Sequence, residues 1–119
     1  MDAVKKLLVI DDEPAIREGV RRILESESFQ VETFANGHAA LERIKQEPFD
    51  LVVTDLKVTG ISGMEVLKAI NEIQADLLVI FITGYSSVDS AVEVMKMGAV
   101  DYIAKPFTPE EMLNTIRLA

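Results

Sequence analysis

Short apolar runs alternate with longer stretches of helical period along the chain. Runs rich in Val, Ile, Leu and Phe cover residues 6–10, 29–34, 51–54, 77–83 and 100–104. The stretches of helical period cover residues 14–27, 37–46, 63–73, 86–97 and 109–118. Strict alternation of strands and helices predicts an α/β fold with a parallel sheet between two helical layers. The central runs are continuously apolar, which is typical of strands buried on both faces.

Local signals at the ends of the predicted helices agree with this division. Pro14 and Pro109 suit first helical positions, where a missing N–H costs nothing. Thr108 and Glu111 have the spacing of a capping box. Gly98 stands where a left-handed residue commonly ends a helix, so the fourth helix is predicted to stop at residue 97.

Composition and charge narrow the class of protein. The chain has 119 residues, no cysteine and a formal net charge of −8. Disulfide scaffolds and thiolate zinc sites are therefore excluded, and the acidic balance argues against direct nucleic-acid binding. The longest apolar run, at residues 77–83, is far shorter than the roughly 20 residues that span a bilayer. We expect a cytoplasmic, one-domain protein over residues 1–119 with no membrane contact. The last helix lacks a stop signal, which favours trimming from a longer protein.

Charged and hydroxyl side chains follow the predicted strands, at the sheet edge where ligands bind in this class of fold. The first strand is followed by three acids, the third by one acid, the fourth by a threonine and the fifth by a lysine. The residues are Asp11, Asp12, Glu13, Asp55, Thr83 and Lys105. Clustered carboxylates repel one another unless a cation lies among them, and oxygen ligands suit Mg²⁺ or Mn²⁺.

A carboxylate is also a nucleophile towards phosphorus, and a metal ion with a lysine can neutralise a transferring phosphoryl group. Asp55 stands alone after its strand, which favours it as the nucleophile. Taken singly, each residue has a structural explanation: Asp12 as a helix cap, Asp55 as a turn former and Thr83 as a backbone partner. Lys105 alone is typical of a solvated surface charge. The conjunction of these groups favours the phosphoryl-transfer chemistry.

The chain resembles the receiver domains of bacterial two-component response regulators over essentially its whole length. The motifs that carry the resemblance are LLVIDDE at 7–13, Asp55 with Gly63 downstream, TGY at 83–85 and DYIAKPF at 101–107. It looks most like receivers of NtrC-type enhancer-binding transcriptional activators, which is a weaker, subfamily-level analogy. The resemblance implies a three-layer α/β/α fold with sheet order 2-1-3-4-5, the flavodoxin-like order.

The resemblance also implies a role for each site residue. Asp55 accepts a phosphoryl group from a sensor histidine kinase, so the domain is a phosphoacceptor and not a separate enzyme. A Mg²⁺ ion is held by Asp12, by Asp11 mostly through water, by Asp55 and by the Lys57 carbonyl. Lys105 contacts the phosphoryl oxygens beside a cis bond to Pro106. Thr83 and Tyr102 form a switch that changes the surface formed by the fourth helix, fifth strand and fifth helix. This surface in turn controls homodimerisation or an output domain.

The segment after Asp55 departs from the usual receiver pattern in two ways. Val58 and Thr59 replace the common Met-Pro pair, which loosens the loop after Asp55. Lys57 places a long cation beside the acceptor, where it could hinder an attacking water. Both departures bear on the lifetime of the phosphoryl group and neither affects the acceptor itself.

The fourth helix carries more apolar residues than one buried stripe needs. Helical spacing predicts a core stripe of Val88, Ala91, Val92 and Met95, which places Val94 and Met97 on the outer side. Isolated exposed apolar residues are common and need no special explanation. The functional hypothesis is that Val94 and Met97 belong to a surface for dimerisation or output docking.

Other protein classes fit the sequence less well. A flavin-binding flavodoxin-like module would want a Ser/Thr/Gly-rich phosphate loop after the first strand, where this chain has three acids that repel phosphate. A haloacid dehalogenase-type phosphatase would carry its nucleophile after the first strand in an Asp-x-Asp pattern, which Asp11-Asp12-Glu13 does not make. An inert receiver-like scaffold is disfavoured because the expected side chains are present.

Overall fold

The computed structural model describes residues 5–58, 60–84 and 88–119, with the side chains of residues 88–91 outside that description. The strands are β1 (Lys6–Ile10), β2 (Gln30–Phe34), β3 (Leu51–Asp55), β4 (Leu78–Thr83) and β5 (Asp101–Ala104). The helices are α1 (Pro14–Glu25), α2 (Gly37–Gln46), α3 (Gly63–Ile73), α4 (Val88–Lys96) and α5 (Pro109–Leu118). The five strands are parallel in the order β2-β1-β3-β4-β5, which confirms the predicted sheet.

The sheet separates two apolar cores because successive side chains of a strand point to opposite faces. In β1, Leu8 and Ile10 pack on the side of α2, α3 and α4, whereas Leu7 and Val9 pack on the side of α1 and α5. In β4, Phe81 belongs to the first core and Ile80 to the second. Continuous apolar runs in the central strands are thus explained by burial on both faces.

The ends of α4 and α1 share one backbone motif, although only α4 has a glycine at the left-handed position. Gly98 has φ +106, and hydrogen bonds from Gly98 N to Met95 O and from Ala99 N to Val94 O complete a Schellman motif. At the end of α1 the same motif is built around Ser28, with φ +68. No glycine marks that position in the sequence, and α1 ends at Glu25, two residues before the predicted end.

The helix starts follow the predicted signals in part. The capping box of Thr108 and Glu111 is present at α5. At α1 the N-cap residue is Glu13, whose side chain makes no capping hydrogen bond, so the cap that Asp12 alone would suggest is not the one used. The predicted start of the fourth helix at Ser86 lies outside the described residues. Within the described parts of the chain, no helix combines the length and apolar character needed to cross a bilayer.

Candidate functional site

Asp55 ends β3 at the carboxyl edge of the sheet and is 8% exposed. Its Oδ1 accepts a hydrogen bond of 3.1 Å from the backbone N–H of Lys57. Its Oδ2 accepts a hydrogen bond of 2.8 Å from Lys105 Nζ. The loop that follows β3 therefore orients one carboxylate oxygen, and the lysine after β5 engages the other.

Lys105 is held by its backbone and by three carboxylates. Its N–H donates to Thr83 O at 2.7 Å, and the Lys105–Pro106 peptide bond is cis, the geometry that the resemblance implies. Besides Asp55, the ammonium lies 3.3 Å from Asp11 Oδ2 and 3.5 Å from Glu13 Oε1. Burial by itself lowers the pKa of Lys105, but the hydrogen bond to Asp55 and the charges of Asp11 and Asp55 raise that pKa above its ordinary value. The lysine stays charged in the site.

Asp11 directly follows β1 and is fully buried. Its Oδ1 accepts a hydrogen bond of 2.9 Å from the Glu13 N–H, whereas its Oδ2 lies within ion-pair distance of Lys105 but accepts no hydrogen bond in the described part of the chain. Desolvation by burial raises the pKa of Asp11, opposed by the Glu13 N–H and by the Lys105 charge. One buried carboxylate oxygen, which has the Lys105 ammonium at 3.3 Å, is therefore able to accept a further ligand.

Gly63 brings the start of α3 against the loop that follows β3. Its N–H donates to Leu56 O at 2.8 Å. A Cβ atom at this position would lie 2.5 Å from Asp55 O, 2.8 Å from Leu56 Cα and 2.9 Å from Phe81 Cε1. Only glycine allows this approach, so Gly63 fixes the distance between α3 and the backbone of Asp55.

Thr83 ends β4 on the same edge of the sheet. It is 1% exposed, and its Oγ1 has no hydrogen-bond partner among the described residues. Thr83, Gly84, Asp55 and Lys105 line a cleft of about 570 Å³. Tyr102, in β5, is 42% exposed in this structure. The two residues that the resemblance names as a switch are therefore one buried hydroxyl without a partner and one outward-facing ring.

The donor atoms of the site fit a hard divalent cation. Carboxylate oxygens of Asp11, Glu13 and Asp55 lie within 4.8 Å of one another, and the buried Asp11 Oδ2 accepts no hydrogen bond. Asp12 is exposed and lines the same cleft, as does Lys57. Of the ligands named from the sequence, the structure brings Asp11 and Asp55 together and keeps Asp12 and Lys57 at the mouth of the cleft.

Glu13 and Arg17 contribute contacts that sequence reasoning did not assign. Glu13 lies in the acidic triplet after β1 and is the third carboxylate around Lys105. Arg17 Nη1 donates a hydrogen bond of 2.8 Å to Asp11 O. A cation this near a helix N-terminus opposes the helix dipole, which was the available sign that Arg17 has another task.

The sequence-based prediction of which α4 side chains are buried is wrong. Val94 is fully buried, and Met97 is partly buried against the core beneath α2 and α3. Val92 and Met95, assigned to the core from spacing, are 45% and 41% exposed. Val88 and Ala91 lie among the side chains outside the description. Val94 therefore cannot belong to an exposed docking surface in this conformation.

Comparisons with known proteins agree with the fold. The response regulator receiver domain family matches residues 7–117. The C4-dicarboxylate transport transcriptional regulatory protein DctD of Pseudomonas aeruginosa is 38% identical over 119 residues, which are 99% of this chain and 26% of that protein. The sporulation initiation phosphotransferase F of Bacillus subtilis is 34% identical over 113 residues, 95% of this chain and 91% of that protein.

Solved structures show the same similarity. The beryllofluoride-activated NtrC4 receiver domain dimer has a TM-score of 0.92 and 36% identity, covering 97% of this chain and 95% of that one. A CheY-like receiver domain protein from Methanospirillum hungatei has a TM-score of 0.92 and 33% identity, covering 98% of this chain and 93% of that one. The chain spans about a quarter of DctD and, at 55%, about half of the FixJ protein of Bradyrhizobium diazoefficiens.

The family match extends over residues 7–117 and therefore does not depend on a single motif. It accounts for the sheet order of the structure. The family match also argues against the two alternative classes, a flavin-binding module and a haloacid dehalogenase-type phosphatase. The chain belongs to the response regulator receiver domain family of two-component signalling.

Proposed function

We propose that Asp55 accepts a phosphoryl group from the phosphohistidine of a sensor histidine kinase, with Lys105 and Thr83 assisting. The observation that carries this proposal is the 2.8 Å hydrogen bond between Lys105 Nζ and Asp55 Oδ2 beside the buried, unpartnered Thr83 hydroxyl. A nucleophile, a fixed cation and a free hydroxyl line one cleft. These are the groups that phosphoryl transfer needs.

The transfer replaces one bond to phosphorus by another. An Asp55 carboxylate oxygen forms the new P–O bond, the P–N bond to the kinase imidazole breaks, and the imidazole nitrogen keeps the electron pair. Negative charge is spread over the three phosphoryl oxygens during transfer, and Lys105 lies where it can offset that charge. Thr83 Oγ1 has an O–H to donate to a phosphoryl oxygen once Asp55 is modified.

Asp11 and Asp55 are the residues best placed to hold the divalent cation, Mg²⁺ or in its place Mn²⁺. Support comes from the buried Asp11 Oδ2 without a hydrogen bond and from the oxygen-only donor set. Asp12 and the Lys57 carbonyl complete the set that the family resemblance implies. When bound, such an ion supplies positive charge that neutralises the carboxylates and the transferring phosphoryl group.

We further propose that phosphorylation changes the face formed by α4, β5 and α5. Thr83 is hydrogen-bonded through its carbonyl to Lys105 in the loop after β5, and Tyr102 lies exposed in β5. A new hydrogen bond from Thr83 to the phosphoryl group would bias that segment towards one of two packings, with Tyr102 moving inward. A similar chain, NtrC4, forms a beryllofluoride-activated receiver domain dimer, which supports homodimerisation as one output.

The remaining part of the proposal concerns the whole protein. The relatives DctD and FixJ are much longer than this chain and are named as transcriptional regulatory proteins. We therefore propose residues 1–119 as the receiver domain of a longer response regulator that controls transcription. In that arrangement the nucleic-acid contacts belong to the output domain and not to this acidic domain.

The test is intact-mass spectrometry after incubation with Mg²⁺ and acetyl phosphate. Wild type is expected to gain one phosphoryl group, and Asp55→Asn or a chelator should abolish the gain. Asp76→Asn, which removes an exposed carboxylate before β4, is the matched control and should be modified like wild type. Modification of Asp55→Asn to the wild-type extent, or no modification of wild type by either acetyl phosphate or a phosphorylated histidine kinase, would contradict the proposal.

A further inference from the structure

We infer that Arg17 is a positioning residue for the cation site, acting through Asp11. In the described part of the chain, the Arg17 side chain makes no hydrogen bond or ion pair to Asp55, Lys105 or Thr83. Its guanidinium donates to the backbone carbonyl of Asp11, the residue whose buried carboxylate lies beside Asp55 and Lys105. The inference rests on the proposed function, because it concerns the same cation site.

Three hydrogen bonds fix Asp11 at the point where the chain leaves β1. Asp11 N donates to Phe34 O in β2 at 3.1 Å, and Asp11 Oδ1 accepts from Glu13 N at 2.9 Å. Asp11 O accepts from Arg17 Nη1 at 2.8 Å. The first two bonds come from the backbone of neighbouring segments, whereas the third depends on one side chain and can be removed by substitution.

The position of Arg17 is unfavourable for a cation unless it has a partner. Arg17 is the fourth residue of α1, and the first turn of that helix carries no acid. The partial positive charge at a helix N-terminus disfavours a nearby guanidinium. The hydrogen bond to the Asp11 carbonyl, which points back from the strand end, offsets this cost and explains the residue.

Loss of this bond frees the peptide between Asp11 and Asp12 to rotate. The rotation displaces the Glu13 N–H that holds Asp11 Oδ1 and moves the Asp12 side chain, so the oxygens that would bind the cation are no longer held in advance. Outer residues that orient metal ligands typically contribute about 10–100-fold in metal affinity. Arg17 should therefore affect cation affinity, with little effect on phosphoryl transfer once the site is saturated.

Two substitutions on one helix separate this role from a general effect on α1. Arg17→Met removes the donor and keeps a long apolar side chain. Arg22→Met is the matched control, because Arg22 is an exposed arginine of the same helix. Arg17→Lys keeps the positive charge without the planar fork of donors, and it is the milder variant if Arg17→Met folds poorly.

Mg²⁺ affinity is measured by titration calorimetry, and the hydrogen exchange rate of the Glu13 amide is measured by NMR in metal-free protein. We expect Arg17→Met to raise the Kd for Mg²⁺ about tenfold and to speed exchange at the Glu13 amide, with Arg17→Lys intermediate and Arg22→Met like wild type. At saturating Mg²⁺, Arg17→Met should accept a phosphoryl group from acetyl phosphate at close to the wild-type rate.

The inference is overturned if Arg17→Met and Arg22→Met have the same Kd and the same Glu13 exchange rate. That result would leave the proposed function intact, provided that wild type binds Mg²⁺ and is phosphorylated. If wild type itself bound no Mg²⁺ and accepted no phosphoryl group, the proposed function and the inference would both fail. A change in the maximal rate at saturating Mg²⁺ without a change in Kd would also overturn the inference, since it would place Arg17 in the reaction itself.

Discussion

Lys105 Nζ lies 2.8 Å from Asp55 Oδ2, so the lysine that we propose contacts the phosphoryl group is hydrogen-bonded to the proposed acceptor before phosphorylation. The same ammonium is 3.3 Å from Asp11 Oδ2. A single lysine therefore partly neutralises the two buried carboxylates that a divalent cation would also use. Lys105 and Mg²⁺ would interact with the same carboxylate oxygens, so each should weaken the binding of the other to them.

Lys105→Met should bind Mg²⁺ several-fold more tightly than wild type while the metal-free protein becomes less stable. Removing one partner of a buried ion pair typically costs about 3–5 kcal/mol, and partial exposure of this pair reduces the expected loss to about 2–3 kcal/mol. Saturating Mg²⁺ should recover much of it, because a ligand that binds only the folded state adds stability.

Urea unfolding with and without Mg²⁺, together with calorimetry, measures both effects. Lys68→Met, which removes an exposed lysine of α3, is the control and should change neither quantity. Weaker Mg²⁺ binding by Lys105→Met would show that the lysine organises the carboxylates more than it competes for them.

Gly63→Ala should lower both stability and phosphoryl uptake. The added Cβ would lie 2.5 Å from Asp55 O and would force the acceptor loop away from α3. Overpacking of this kind costs about 1–3 kcal/mol. Gly19→Ala in α1 is the matched control, because no atom lies within 4 Å of its Cβ position, and it should stabilise the protein by about 0.5–1 kcal/mol.

Thermal unfolding and intact-mass assays of the two glycine variants give the comparison. If Gly63→Ala were as stable as wild type and were phosphorylated at the same rate, the close approach of α3 would have no part in positioning Asp55.

The architecture could be predicted from sequence because each central strand is buried on both faces and each connection is a helix of clear period. The same reasoning failed at α4. That helix carries apolar residues on several sides, so spacing alone did not select the buried one. The Schellman motif at Gly98 was the better guide, because it pairs Ala99 with Val94 and both are buried.

The site could be predicted only as far as strand ends determine it. Asp11, Asp55 and Lys105 converge because the carboxyl ends of parallel strands share one edge. Glu13 reaches Lys105 from the loop between β1 and α1, and Arg17 reaches back from within α1. Loop and helix side chains of this kind depend on rotamer and backbone direction, which hydrophobic periodicity does not encode.

Thr83→Val should leave the fold intact and remove the response to phosphorylation. Thr83 Oγ1 is buried without a hydrogen-bond partner, and an unsatisfied buried hydroxyl typically costs about 1–3 kcal/mol. Replacing it by a methyl group of similar shape should therefore be neutral or stabilising. The same change removes the O–H that the proposed switch donates to the phosphoryl group.

Phosphoryl uptake by mass spectrometry and the Tyr102 ring environment by NMR, before and after phosphorylation, separate the two effects. Thr115→Val in α5 is the control, because its hydroxyl donates to Glu111 O within the helix. A phosphorylated Thr83→Val protein whose Tyr102 signals shift as in wild type would contradict the switch role.

Glu32 and Arg43 form an ion pair outside the candidate functional site. This pair makes the free energy of unfolding depend on pH in the acid range. Arg43 donates to both Glu32 oxygens, at 2.7 and 2.9 Å. The hydrogen bond from Arg43, opposed by burial and aided by the charges of Arg43 and Lys6, lowers the pKa of Glu32 from its ordinary 4.5. A carboxyl with a lowered folded-state pKa adds stability above its unfolded value, and this stability is lost as the pH falls through the folded value.

Glu32→Gln should therefore flatten the dependence of unfolding free energy on pH below about pH 4.5, with a loss of about 0.5–1 kcal/mol at neutral pH. Urea unfolding between about pH 3 and pH 7 measures the slope. Glu42→Gln, which breaks an exposed i,i+3 pair with Lys45, is the control and should keep the wild-type slope. Glu47 also has a lowered pKa, chiefly through its hydrogen bond from Lys6, so part of the slope should survive in Glu32→Gln. Parallel curves for wild type and Glu32→Gln would mean that the pKa of Glu32 is the same in the folded and the unfolded chain, which would contradict the prediction.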